Sequence, residues 1–172
     1  MKTLYLLRHA KAERESTSGE DFDRPLMNRG RDNAAALGRT FNAKARPDLI
    51  LASPSKRTME TVEFLSAGWA KCPPIETDDK LYLAPAPRLL DAVRCLPDSA
   101  DSAMLVGHNP GMEELAIQFA NKVPSDMLRR MQRKFPTCAM ATFAISVEGW
   151  PRATAELSRL TAFSTPKDLA AN

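Results

Sequence analysis

Histidine is scarce in this chain: 172 residues hold only two, His9 and His108. Cysteine is nearly as thin. Cys72, Cys95 and Cys138 stand far apart, odd in number and without a CxxC pair, which argues against a disulfide framework or a zinc knuckle; they read as reduced, mostly buried thiols. Long hydrophobic runs are missing, and with them a membrane span. The N-terminal MKTLYLLRHAKAE has one lysine and a short apolar run before charges resume, too little for a signal-peptide core, so a cytoplasmic location is expected. Aromatic residues make up 6% of the chain and show no pattern for stacking bases, and Trp69 and Trp150 read as packing residues. The net charge of +3 does not call for a nucleic-acid partner, although it suits a phosphorylated substrate.

With 44% apolar and 26% charged residues, the chain has the make-up of one ordinary globular domain over residues 1–172. Short apolar runs at Thr3 to Leu7, Asp48 to Ala52 and Ala103 to Val106 read as buried strands. Ala139 to Val147 alternates before the turn Glu148-Gly149, and Arg152 to Leu160 is expected to pair back across it. Helices are expected over Asn28 to Lys44, Thr58 to Leu65 after Ser53-Pro54, Pro87 to Leu96 and Met112 to Ala120. Strands alternating with helices imply an α/β sandwich with a mostly parallel sheet, whose ligand site lies beyond the carboxyl ends of its strands.

Both histidines stand at such ends. His9 follows the first run and Arg8, and His108 follows the third run in Gly107-His108-Asn109-Pro110-Gly111. The second run leads into Ser53-Pro54-Ser55-Lys56-Arg57-Thr58, which brings Arg57 to the same edge. Guanidinium offers planar, bidentate donors to phosphate oxygens, so Arg8 and Arg57 are expected to fork around one anion. Pro110 suits the first turn of the next helix, whose free amides and dipole would add to anion binding. Two imidazoles and two guanidiniums around a phosphate-sized point suit phosphoryl transfer, where positioning and charge neutralisation supply most of the catalysis.

These residues resemble the histidine phosphatase superfamily, and within it the short SixA-type phosphohistidine phosphatases. Leu7-Arg8-His9-Ala10 looks like its Arg-His-Gly signature with alanine in place of glycine. Ser53 to Thr61 resembles its second-arginine segment, Val106 to Pro110 its second-histidine segment, and Asp23-Arg24-Pro25-Leu26 with Arg29-Gly30 its first loop. The resemblance implies a three-layer, phosphoglycerate mutase-like α/β/α fold. It also implies a covalent phosphohistidine on His9, with Arg8, Arg57, His108 and Asn109 around the phosphate, and no cofactor or metal. A neutral His9 beside two guanidiniums agrees with a nucleophile's needs, whereas His108 is more useful protonated or as a donor.

The resemblance also raises the question of a general acid. Between the second-arginine and second-histidine segments stand Glu60, Glu63, Glu76, Asp78, Asp79, Asp91, Asp98 and Asp101. Glu60 and Glu63 read as solvated, and Asp78-Asp79 is the best candidate pair. A missing acid would fit a good leaving group such as the imidazole of phosphohistidine. Arg129, Arg130, Arg133 and Lys134 read as a solvated helix face before they read as a docking surface, and Glu113 and Glu114 as complements to their helix dipole. The expected partner is a phosphorylated protein, with no nucleic acid or membrane. A phosphatase for a small phosphomonoester and a non-catalytic phosphoprotein-binding module are the alternatives. A metal site at His9 and His108 is weaker, because Arg8 and Arg57 would repel the ion.

Overall fold

The computed structural model describes residues 1–41, 46–120 and 126–170. In chain order these residues form β1 (Lys2–Arg8), α1 (Asn28–Thr40), β2 (Leu49–Ala52), α2 (Lys56–Ser66), β3 (Ile75–Thr77) and α3 (Ala86–Arg94). There follow β4 (Ser102–Gly107), α4 (Gly111–Phe119), α5 (Asp126–Arg133), β5 (Met140–Ile145), β6 (Ser158–Ser164) and the single turn α6 (Pro166–Leu169). The strands make one sheet in the order β3-β2-β4-β1-β5-β6. The pairs β1·β4, β2·β4 and β2·β3 are parallel, while β5 runs antiparallel to β1 and β6 antiparallel to β5.

The three central strands are apolar on both faces because both are covered. Leu4, Leu6, Leu49, Leu51, Ala103 and Leu105 face a core shared with α3 and α4. The intervening Leu7, Ile50, Ala52, Met104 and Val106 face a second core against α1 and α2. This period of two separates the helical layers and yields the expected sandwich.

Several boundaries differ from the sequence reading. The first helix ends at Thr40, with the buried Phe41 as its cap, and the expected continuation over residues 42–44 lies outside the described residues. The last strand begins at Ser158 rather than Arg152. Trp150–Arg152 forms a 3-10 turn instead, in which Pro151 has no amide to give a strand ladder and the buried Trp150 donates Nε1–H to Ala100 O at 2.8 Å. The edge strand β3 went unread because Ile75, Glu76 and Thr77 are all exposed and carry no apolar pattern. Cys138 is buried, but Cys72 and Cys95 are exposed, so the thiols are not mostly buried.

Two glycines permit close docking near the sheet edge. A side chain at Gly30 would meet Lys11 O at 2.1 Å, and one at Gly111 would meet Ala84 O at 2.0 Å. The starts of α1 and α4 therefore lie directly against backbone.

Candidate active site

Strand register brings the candidate residues together. Arg8 pairs with Gly107 and Ala52 with Val106, so His9, His108 and Ser53 each follow the last paired residue of adjacent strands. The rings of His9 and His108 lie 5.2 Å apart, centroid to centroid. They line a cavity of about 320 Å3 together with Arg8, Arg57, Asn109 and Arg24. Asp21, Lys11, Leu83 and Thr137 complete much of its wall.

The backbone around His9 is held from three sides. Its N–H donates to Gly107 O at 3.0 Å, and its carbonyl accepts the Cys138 amide at 3.0 Å. The next amide, Ala10 N–H, donates to Thr61 Oγ1 at 3.0 Å, while the Thr61 hydroxyl donates to Arg57 O at 2.6 Å. Thr61 thus ties the arginine segment to the histidine loop. The His9 Nδ1 lies 2.7 Å from Ala10 O, a contact that requires the proton on Nδ1 and leaves the lone pair on Nε2. Burial pushes the His9 pKa down to about 4, opposed by the Ala10 hydrogen bond and assisted by Arg57, Arg8 and Arg24. The ring is neutral at pH 7.

His108 is also neutral. Burial, with His9 and Arg57 nearby, pushes its pKa down to about 3, which leaves a neutral hydrogen-bond donor as the form of His108 in the free protein, one of the two expected for it. Its Nε2 lies 2.9 Å from Ser53 Oγ, and its buried Nδ1 has no partner among the described residues.

The two guanidiniums are already engaged. Arg8 Nη1 donates to Phe135 O at 2.8 Å. Arg57, 3% exposed, donates Nη1 to Asp21 O at 2.6 Å and Nη2 to Asp21 Oδ2 at 2.9 Å. Arg24 donates to Asp21 Oδ1 at 2.6 Å, and the Tyr82 hydroxyl donates to Asp21 Oδ2. The Tyr82 hydrogen bond, with those from Arg24 and Arg57, holds the Asp21 carboxyl well below the usual range, so it is ionised. Asp21 and Tyr82 escaped the sequence reading because neither lies in a strand-end motif; Tyr82 reaches Asp21 across 61 residues. Arg24 belongs to the first-loop pattern Asp23-Arg24-Pro25-Leu26, in which nothing local marks it as part of the cavity wall.

Asn109 lines the cavity, yet its amide nitrogen is taken by Glu113 Oε2 at 2.8 Å and Phe135 O at 3.2 Å. Pro110 is the N-cap of α4, just ahead of the first turn, and is joined to Asn109 by a cis peptide bond. One amide expected to be free there is used, Met112 N–H, which donates to His108 O at 3.0 Å.

None of the candidate acids lines the cavity. Asp78 instead accepts Lys80 N–H and caps a 3-10 turn. Glu60 is half-buried rather than a freely solvated side chain: it accepts Leu26 N–H at 2.7 Å and pairs with Arg31 at 3.9 Å, fixing the first loop. At the opposite edge of the sheet the buried Lys2 Nζ donates to the backbone carbonyl of Asp98 at 2.8 Å and to the Asp101 carboxylate at 3.0 Å, while the Asp98 carboxylate accepts Trp150 N–H. Among the described residues, no three His, Cys, Asp or Glu side chains cluster as a metal site.

The family model for the histidine phosphatase superfamily, branch 1, matches residues 4–82. An uncharacterised protein of Mycobacterium tuberculosis is 26% identical over 94% of this chain and 100% of its own length. A structure from Agrobacterium tumefaciens, described as a candidate phosphohistidine phosphatase SixA, is 29% identical with a TM-score of 0.79, covering 96% of this chain and 98% of that one. The protein histidine phosphatase SixA complexed with tungstate shares the fold at 17% identity and a TM-score of 0.76, covering 97% and 99%. The sandwich is of the expected phosphoglycerate mutase-like type.

Proposed function

Since the chain belongs to the histidine phosphatase superfamily and is a phosphatase of that kind, we propose that it acts in the cytoplasm on protein phosphohistidine, through a covalent intermediate on His9. The carrying observation is a buried, neutral His9, its proton fixed on Nδ1, placed 5.2 Å from His108 in a cavity walled by Arg8, Arg24 and Arg57. The likeness to the Agrobacterium protein supports the substrate class.

In the first step the His9 Nε2 lone pair forms a bond to phosphorus. The bond from phosphorus to the substrate's imidazole nitrogen breaks, and its electron pair leaves with that nitrogen, which takes a proton from solvent. In the second, water attacks the phosphorus, the bond to His9 breaks, and inorganic phosphate and neutral His9 are regenerated. Arg8, Arg57 and His108 are the donors for the phosphoryl oxygens. Arg57 turns to the substrate by exchanging its Asp21 bonds. No carboxylic acid is required, because the leaving imidazole is a good leaving group. All of residues 1–172 serve as one catalytic domain in this reading.

The test is a rapid quench of the protein with a labelled phosphohistidine protein. An enzyme-bound label that is lost in mild acid, survives alkali and is missing in His9→Ala is expected. Turnover by His9→Ala at the wild-type rate would refute the reading.

A further inference from the structure

A second, larger groove of about 690 Å3 opens beside the phosphate cavity and shares Arg8, Lys11 and Thr137 with it. We propose that this groove docks an acidic segment of the phosphoprotein next to its phosphohistidine, an inference that rests on the phosphatase reading for its first half only.

Charge is the first reason. Among the described residues, seven cationic side chains line the groove against a single carboxylate, Asp168. The whole chain carries only +3, so the rest of the molecule is net negative and positive charge is concentrated on this face. Asp168 offers little compensation elsewhere, since both its oxygens accept Arg130 Nη2, at 2.7 and 2.6 Å, and Oδ2 also caps Thr165. Arg29, Arg133, Lys134 and Lys167 make no ion pair among the described residues and are exposed. Like charges gathered without partners repel one another, and an incoming anion relieves that repulsion.

Shape is the second. Pro136 and Pro166, both half-buried, contribute apolar surface between the cations, as a peptide's carbon skeleton requires. A nucleic-acid strand would look for open aromatic faces, but Phe163 is buried and the Arg130 guanidinium lies 5.8 Å from its ring centroid. Of the basic run Arg129, Arg130, Arg133 and Lys134, the last three line the groove, Arg130 and Arg133 from α5 and Lys134 from the residue that follows it.

The experiment compares two phosphohistidine peptides, one flanked by Asp and Glu and one by Gly and Ser, with a small phosphoramidate as control. Wild-type protein is expected to favour the acidic peptide by about tenfold or more in kcat/KM at low salt, falling as salt rises. The triple variant Arg133→Glu/Lys134→Glu/Lys167→Glu, whose residues do not line the phosphate cavity, should lose that preference and keep its phosphoramidate rate. Fluorescence anisotropy of the unphosphorylated acidic peptide reports docking without turnover, so the groove is tested even if the substrate reading fails. Equal use of both peptides by wild type, a preference surviving in the triple variant, or tighter binding of a single-stranded oligonucleotide of matched charge would overturn the proposal.

Discussion

Asp21 holds Arg57 twice, accepting Nη1 on its backbone carbonyl at 2.6 Å and Nη2 on its carboxylate at 2.9 Å. A buried cation of the phosphate cavity is thus satisfied before any substrate arrives, by a carboxylate that an incoming phosphoryl group must displace. Removing the competing charge should favour oxyanions. Asp21→Asn is expected to tighten inhibition by vanadate about two- to fivefold, the worth of a partly exposed ion pair. Arg57→Ala should weaken it by about 2–4 kcal/mol, since the variant both loses a charged donor and exposes Asp21 to the anion. Adding Asp21→Asn to Arg57→Ala should then restore part of the loss; a double variant no better than Arg57→Ala would show that Asp21 does not oppose the anion.

Burial of two imidazoles couples the site to pH. His9 and His108 titrate near 4 and 3 in the fold, against an ordinary value near 6.5. Between those values the unfolded chain binds more protons than the folded one, so stability is complete above about pH 6.5 and declines as pH falls towards 4. Between pH 6.5 and 4.5 the loss is on the order of 3 kcal/mol per imidazole. Urea unfolding at pH 7.5 and 4.5 should show it, and His9→Asn/His108→Asn should flatten the dependence. In kinetics, kcat/KM should show no acid limb near pH 6.5, because the nucleophile stays neutral well below it.

Thr61 positions without touching substrate. Its hydroxyl joins Ala10 N–H to Arg57 O, so Thr61→Val keeps the shape and leaves a buried amide and a carbonyl without that link, at about 1–3 kcal/mol. Urea unfolding should register that loss of stability. A lower kcat with little change in KM is expected, and Thr61→Ser should rescue it. Equal losses in both variants would assign the residue to packing alone.

The parts of this site that sequence made legible are those that end an apolar run. Arg8, His9 and His108 follow strands whose buried residues mark them, and parallel register then brings them side by side. Arg57 was legible because its segment begins a helix after the same kind of run. Asp21, Tyr82 and Thr137 were not, since their place depends on loops folding back over the sheet edge and no local period announces that. Glu60 shows the same limit from the other side: its exposed-looking helical position is covered by the first loop, which it holds through Leu26.

Leaving-group dependence follows from the one carboxylate that lines the cavity among the described residues, that of Asp21. Asp21 is bonded by Tyr82, Arg24 and Arg57 and stays ionised, so it has no proton to give a departing oxygen. The barrier should then depend steeply on the leaving group, with phosphoramidates and aryl phosphates cleaved much faster than alkyl phosphates. Each tenfold difference is about 1.4 kcal/mol. Asp78→Asn and Asp79→Asn should leave all these rates nearly unchanged, since Asp78 caps its own turn and neither residue lines the cavity. Asp21→Asn should shift the rates for all substrates together and preserve their ratio. A selective loss on alkyl phosphates in any of the three variants, with aryl phosphate cleavage intact, would instead identify that carboxyl group as the proton donor.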